Sequence, residues 1–159
     1  MLGSERARPA RPASTTTRGR HSRQVAGNGG ATNLSGMAEI VVAADTSWVI
    51  NDVRAALGDE RFTIHEVADP RAVVAAVGEF APAVVIVDLQ IGSMGGMAIT
   101  RAVRDAFAGG VETAPPVILL LDRDADAFLA GRSGAAGWVR KPFSSGDLRA
   151  AIDQLVPAP

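Results

Sequence analysis

The chain has 159 residues, 47% hydrophobic and 21% charged, a composition that suits one globular domain with a tail. It contains no cysteine, which excludes disulfides, thiol nucleophiles and thiolate metal sites and accords with a reducing compartment. The net charge of −1 conceals two materials: residues 1–36 carry six arginines against Glu5 alone, while residues 37–159 carry ten basic and sixteen acidic residues, net −6.

Residues 1–36 are rich in Pro, Gly, Ser, Thr and Arg and lack apolar periodicity. Such a stretch buries too little apolar area to offset chain entropy, so a disordered basic extension is expected. The reading preferred for it is an upstream stretch included by a wrong start, with Met37 the true start. The others are a basic arm for nucleic acid or anionic lipid, and an organelle transit peptide. GNGG at 27–30 follows no strand and lacks a following GK[ST], so it is not a phosphate loop. The chain start has no apolar signal core, and no apolar run approaches the roughly 20 residues of a membrane helix. A cytoplasmic location is therefore expected.

From Met37 the pattern changes. AEIVVAA (38–44) is a short β-branched run, the mark of a buried strand. Thr46 or Ser47 is expected to cap a helix whose apolar positions are Val49, Val53, Ala56 and Leu57. FTIHEVA (62–68) predicts a second strand, and Asp69-Pro70 then opens a helix lined by Val73, Val74 and Val77. AVVIVDL (83–89) is a third strand. After a Gly-rich loop, Ile99, Ala102, Val103 and Ala106 share one helix face. PPVILLL (115–121) is a fourth strand, followed by an acidic helix over about 123–132. GAAGWVRK holds a fifth strand, and SSGDLRAAIDQLV closes the chain as a helix with Leu148, Ala151, Ile152 and Leu155 inward. Five strands alternate with five helices. Hydrophobicity that is continuous along each strand means cover on both faces, hence an α/β fold with a doubly wound, five-stranded parallel sheet.

Ligands of such sheets sit at the carboxyl ends of the strands. There the sequence places Asp45 after strand one, Asp88 ending strand three, Asp122 just beyond Leu121 of strand four, and Lys141 ending strand five. Two carboxylates, Asp45 and Asp88, and the Lys141 ammonium thus converge from three strands on one edge, and burying them costs energy unless they pair or bind a cation. The chemistry that fits is phosphoryl transfer to a carboxylate, aided by a hard divalent cation and a positive group opposite. Lys141 is the one lysine among sixteen basic residues. A compact ammonium on a flexible stem reaches a crowded carboxylate better than a planar guanidinium does.

IVVAADTS, VVIVDLQIGSMGG, PPVILLL and GWVRKPF, in this order, resemble the response-regulator receiver domain, the CheY-like (flavodoxin-like) fold, over about residues 38–156. The resemblance implies Asp88 as phosphoacceptor and Lys141 as the contact to the acceptor and then to the phosphoryl group. It implies Mg²⁺ held by Asp45, by Asp88 and by the backbone carbonyl of Gln90. Pro142 resembles the proline that commonly follows a cis peptide bond, Trp138 a switch aromatic, and Gly96 the loop glycine after the acceptor strand. Three positions depart. Ala44 replaces the first of two adjacent acids, so Mg²⁺ binding is expected to be weak. Leu121 replaces a Thr or Ser whose hydroxyl would bond the phosphoryl group and draw the aromatic inward. Gly92 replaces a common proline and is expected to matter little.

The function implied is a single-domain response regulator of a two-component phosphorelay, with receiver residues 37–159 and no attached output domain. It would be phosphorylated by a sensor histidine kinase or phosphotransfer protein. It would signal through the face of helix four, strand five and helix five, and homodimerise through the same face. It would be no enzyme beyond Mg²⁺-dependent self-phosphorylation. The alternative, favoured by Ala44 and Leu121, is an atypical receiver that acts as a constitutive interaction module without phosphorylation. A third reading is a phosphatase or dehalogenase with an aspartate nucleophile; Gln90 stands where such enzymes place a second acid. The −6 charge argues against nucleic-acid binding by residues 37–159. Neither His21 nor His65 is supported as a ligand, and His65 reads as a half-buried strand residue.

Overall fold

The structure, a computed structural model, describes residues 36–58 and 60–156. Apart from Gly36, the expected basic extension lies outside the described residues. Five strands are present among them: β1 (Ala38–Ala43), β2 (Phe62–Val67), β3 (Val84–Asp88), β4 (Val117–Leu121) and β5 (Gly137–Arg140). The α-helices between and after them are α1 (Ser47–Leu57), α2 (Val73–Phe80), α3 (Gly96–Ala106), α4 (Ala127–Arg132) and α5 (Ser145–Asp153). All strand pairs are parallel, in the order β2-β1-β3-β4-β5. The chain steps from β1 to β2 on one side and then crosses back to β3 on the other. The switch point therefore falls between β1 and β3, and in sheets of this kind ligands bind at the carboxyl ends there.

Alternation along the strands divides the core into two layers. Ile40, Val42, Ile86, Ile118 and Leu120 face α1 and α5, meeting Val49, Val53, Leu148 and Ile152. Val41, Ala43, Val85, Val87, Leu119 and Leu121 face α2, α3 and α4, meeting Val73, Val77, Ile99, Val103 and Ala130. Every residue of β3 and β4 is buried. Each fully buried Val, Leu or Ile contributes about 1.5–3 kcal/mol of transfer free energy, so these two central strands anchor the sheet.

Several local expectations need correcting. Thr46 occupies the position before α1 but makes no cap hydrogen bond, and its Oγ1 is buried without a partner. Ala106 is exposed, because α3 ends there and Phe107 packs on the core instead. On that helix the inward polar position is Thr100, whose hydroxyl donates to the Gly96 carbonyl at 2.8 Å. The acidic segment after β4 is a 3₁₀ turn (Asp124–Asp126) leading into a short α4. Asp69 does cap its turn, accepting from the Arg71 N–H at 2.9 Å. His65 is half-buried on β2, stacked on Phe80 at 3.6 Å between ring centroids and bonded to Glu39 at 2.6 Å. Among the described residues no helix is long and apolar enough to cross a membrane.

Candidate functional site

Asp88 is the last residue of β3 and is buried, with Leu120 of β4 opposite it in the sheet. Its position is fixed by the loop that follows. The Ile91 N–H donates to the Asp88 carbonyl at 3.2 Å, and the Gly96 N–H to the Leu89 carbonyl at 2.9 Å. A Cβ on Gly96 would lie 2.7 Å from the Asp88 carbonyl oxygen and 2.9 Å from the Leu89 Cα. Only glycine permits α3 to start this close to the acceptor strand.

Lys141 follows β5 directly. Its N–H donates to the Leu121 carbonyl at 2.7 Å, which holds the residue beside the end of β4, and the Lys141–Pro142 bond is cis. Its ammonium reaches back across the edge and donates to Asp88 Oδ1 at 2.7 Å. The two side chains are only 6% and 3% exposed, so this is a buried ion pair rather than a surface one. Asp88 also accepts a long bond from the Gln90 N–H, at 3.4 Å.

Lys141 has two further neighbours that the sequence reading gave no role. Asp122 Oδ1 lies 3.1 Å from Nζ, on a side chain 40% exposed. The ring of Trp48, in the first turn of α1, has its centroid 5.2 Å from Nζ, within cation–π range. The signals were present: Asp122 stands one residue past a strand end, and Trp48 three residues past Asp45. Neither position alone states which cation it faces.

Asp45 is exposed just after β1, and its Oδ2 accepts the Gly92 N–H at 2.8 Å. This corrects the expectation for Gly92. A proline there would have no N–H to give, and the residue takes φ +48, in the left-handed region. Glycine at 92 thus ties the Asp45 carboxylate to the β3–α3 loop. Ala44, in place of an acid, is fully buried against the α1–α5 layer. Gln90 is exposed at the mouth of the site. Among the described residues no group of three or more His, Cys, Asp or Glu side chains could hold a metal ion. Asp45, Asp88 and Asp122 bring carboxylates to this edge, and hard oxygen donors of that kind suit Mg²⁺.

Leu121 is buried in the α2–α4 layer, and Trp138, on the same face of β5, is 44% exposed. The Trp138 ring lies over α4: a Cβ on Gly131 would be 3.7 Å from it. The segment between Leu121 and α4 is laced with charge pairs. Arg140 donates to Asp124 at 2.9 Å, and Arg123 to Asp126 at 2.9 Å; the Asp126 hydrogen bond and charge raise the Arg123 guanidinium above its ordinary pKa. An open groove on the β5–α5 flank is lined by Trp138, Arg140, Pro142, Ala150 and Gln154; none of Asp45, Asp88, Gln90 or Lys141 lines it.

The sequence profile of the response regulator receiver domain matches residues 40–153. No curated protein matches the chain. A response regulator receiver domain protein from Clostridium thermocellum is 24% identical at a TM-score of 0.65, the match covering 76% of this chain and 94% of that one. The chemotaxis protein CheY4 of Vibrio cholerae is 23% identical with the same TM-score, covering 76% and 99%. A two-component response regulator of the LuxR family from Aurantimonas is 25% identical at 0.64, covering 74% and 84%.

Proposed function

Since the chain belongs to the response regulator receiver family, a signalling module of two-component systems, we propose that it accepts a phosphoryl group on Asp88. The observation that carries this reading is the buried 2.7 Å contact between Lys141 Nζ and Asp88 Oδ1 at the carboxyl edge of the sheet. A carboxylate oxygen of Asp88 attacks phosphorus of a phosphohistidine on a sensor kinase or phosphotransfer protein. The P–N bond breaks, the imidazole leaves with the electron pair and takes up a proton, and Asp88 becomes an acyl phosphate. Lys141 holds phosphoryl oxygens by charge-assisted hydrogen bonds. Asp45, Asp88 and the Gln90 carbonyl would hold Mg²⁺, which when bound offsets the repulsion between carboxylate and phosphoryl oxygens. Output is through protein contact at the face of α4, β5 and α5, where Phe128, Leu129 and Trp138 are exposed; homodimerisation through that face and a cytoplasmic location complete the reading.

The test is incubation with acetyl phosphate and Mg²⁺, followed by intact mass. The wild type should gain about 80 Da, the mass of a phosphoryl group in place of a proton, and Asp88→Ala should not. A wild type that gains nothing from acetyl phosphate or from cognate kinases sinks the reading. A second reading, a constitutive interaction module, is favoured by Leu121 and Ala44, which remove a hydroxyl and a carboxylate from the site. It is supported if Asp88→Ala binds the partner of the wild type unchanged.

A further inference from the structure

We propose that Asp122 is the resident anion of this site: it occupies Lys141 until a phosphoryl group on Asp88 displaces it, and its release loosens the segment leading into α4. The inference rests on the phosphoacceptor reading of Asp88 and adds how that site is gated and read out.

Lys141 is already engaged on three sides. Nζ lies 2.7 Å from Asp88 Oδ1 and 3.1 Å from Asp122 Oδ1, with Trp48 at 5.2 Å. The ammonium donates a hydrogen bond to Asp88, while Asp122 meets it as an ion pair without one. A phosphoryl group on Asp88 brings about two negative charges and three acceptor oxygens to the same cation. Asp122 then becomes a like charge at close range and has lost its cation. Its side chain is 40% exposed, so water is at hand to receive it, whereas Asp88 at 3% has no such exit. Asp122 is the partner that leaves.

Its departure is transmitted because of what it is joined to. Asp122 and Asp124 are pinned to adjacent cations at the end of β5: Lys141 at 3.1 Å and Arg140 at 2.9 Å. These two contacts staple the 3₁₀ turn Asp124–Asp126, and α4 beyond it, to β5. Loss of the first leaves the second as the remaining ion pair between these two segments among the described residues, between side chains 58% and 80% exposed and therefore weak. Leu121 has no hydroxyl to join the phosphoryl group to this segment. Asp122, the next residue, is coupled to the same site through charge instead.

The experiment uses the full chain and three variants: Asp122→Asn, Asp122→Ala and the charge-keeping Asp122→Glu. Acetyl phosphate with Mg²⁺ is the donor; an Asp88 oxygen attacks its phosphorus, the P–O bond to acetate breaks, and acetate leaves with the electron pair. The initial rate of adduct formation should rise roughly threefold to tenfold in Asn and Ala, the scale of one weak ion pair, and stay near wild type in Glu. Amide hydrogen exchange over residues 122–132 should quicken when the wild type is phosphorylated. In Asn and Ala it should be quick beforehand and change no further. Equal or lower rates in Asn and Ala overturn the proposal, as does exchange over 122–132 that is the same in all chains. If no chain gains an adduct while the Asp122 variants remain folded, the phosphoacceptor reading itself has failed and the gate falls with it.

Discussion

Lys141→Met tests whether the buried pair holds the site together. The substitution keeps the length and apolar stem of the side chain and removes its charge. Asp88, 3% exposed, would keep only the 3.4 Å contact from the Gln90 N–H. Removing one member of a buried pair costs about 3–5 kcal/mol, because the other charge is left uncompensated. The lost contact to Asp122 adds little, since that carboxylate is 40% exposed and solvent takes the lysine's place. Asp88→Asn alone should cost less, because the buried ammonium keeps Asp122 as a counter-charge at 3.1 Å. The double variant should cost clearly less than the two single changes summed, because neither charge remains. The cycle should show a coupling of roughly 2–3 kcal/mol, the upper range for residues in contact. Urea unfolding at neutral pH, read by tryptophan fluorescence, measures all four proteins. A domain with 5–15 kcal/mol of stability survives the single changes. Strict additivity in the double variant, or single variants within about 0.5 kcal/mol of wild type, would refute the reasoning.

Other expectations follow from the same contacts. Gly96→Ala should destabilise by roughly 1–3 kcal/mol, since its Cβ meets backbone at 2.7 and 2.9 Å that cannot rotate away, and it should slow adduct formation by moving Asp88; thermal melts and the acetyl-phosphate assay read the two effects. Ser144→Ala should cost about 1 kcal/mol in urea unfolding, because the hydroxyl caps α5 in a reciprocal box with Asp147. The Ser144 backbone N–H and then its hydroxyl hold the Asp147 carboxyl below its ordinary pKa. The folded pKa is the lower one, so this contribution is present above the ordinary value of about 4 and fades as pH falls through the lower folded value; Asp147→Asn should flatten that acid limb in pH-dependent melts. Thr46→Val should leave stability unchanged or raise it, since the hydroxyl it removes is buried without a partner; a clear loss on unfolding would show that Oγ1 is satisfied in solution.

The fold was legible because its signal is redundant. Strand β4 is an unbroken apolar run and β3 is apolar up to its closing Asp88, and runs of that length between helical periods admit few arrangements. The pairing of Asp88 with Lys141 was legible for a related reason: both are strand-end residues, and a parallel sheet brings all its carboxyl ends to one edge. What escaped was set by side-chain reach and backbone geometry. Whether Asp122 faces Lys141 or water depends on how the chain leaves β4, and that turn is 3₁₀, without periodic apolar signal. The Gly92 N–H finds Asp45 across 47 positions of sequence, and a substitution list sees there only an absent proline. Thr46 kept a capping residue's identity but not its bond, because a cap depends on the rotamer as well as the residue type.

The departures from the family pattern fall into place on the two faces of the sheet. Ala44 is absorbed into the α1–α5 layer and Leu121 into the α2–α4 layer, both essentially fully buried. Each replaces a polar group at the crevice with apolar contact, which favours the folded state and withdraws a ligand from the site. The crevice keeps its buried Asp88–Lys141 pair, while the supporting charge has moved to its rim. Asp45 is held by a loop N–H and Asp122 by the lysine itself. Rim charges respond to a new anion more readily than buried ones, because water can take them up. On the proposal made for Asp122, the arrival of a phosphoryl group on Asp88 would move a carboxylate out of this site. The same exchange of burial for exposure explains why one chain carries a well-packed core and a thinly liganded site.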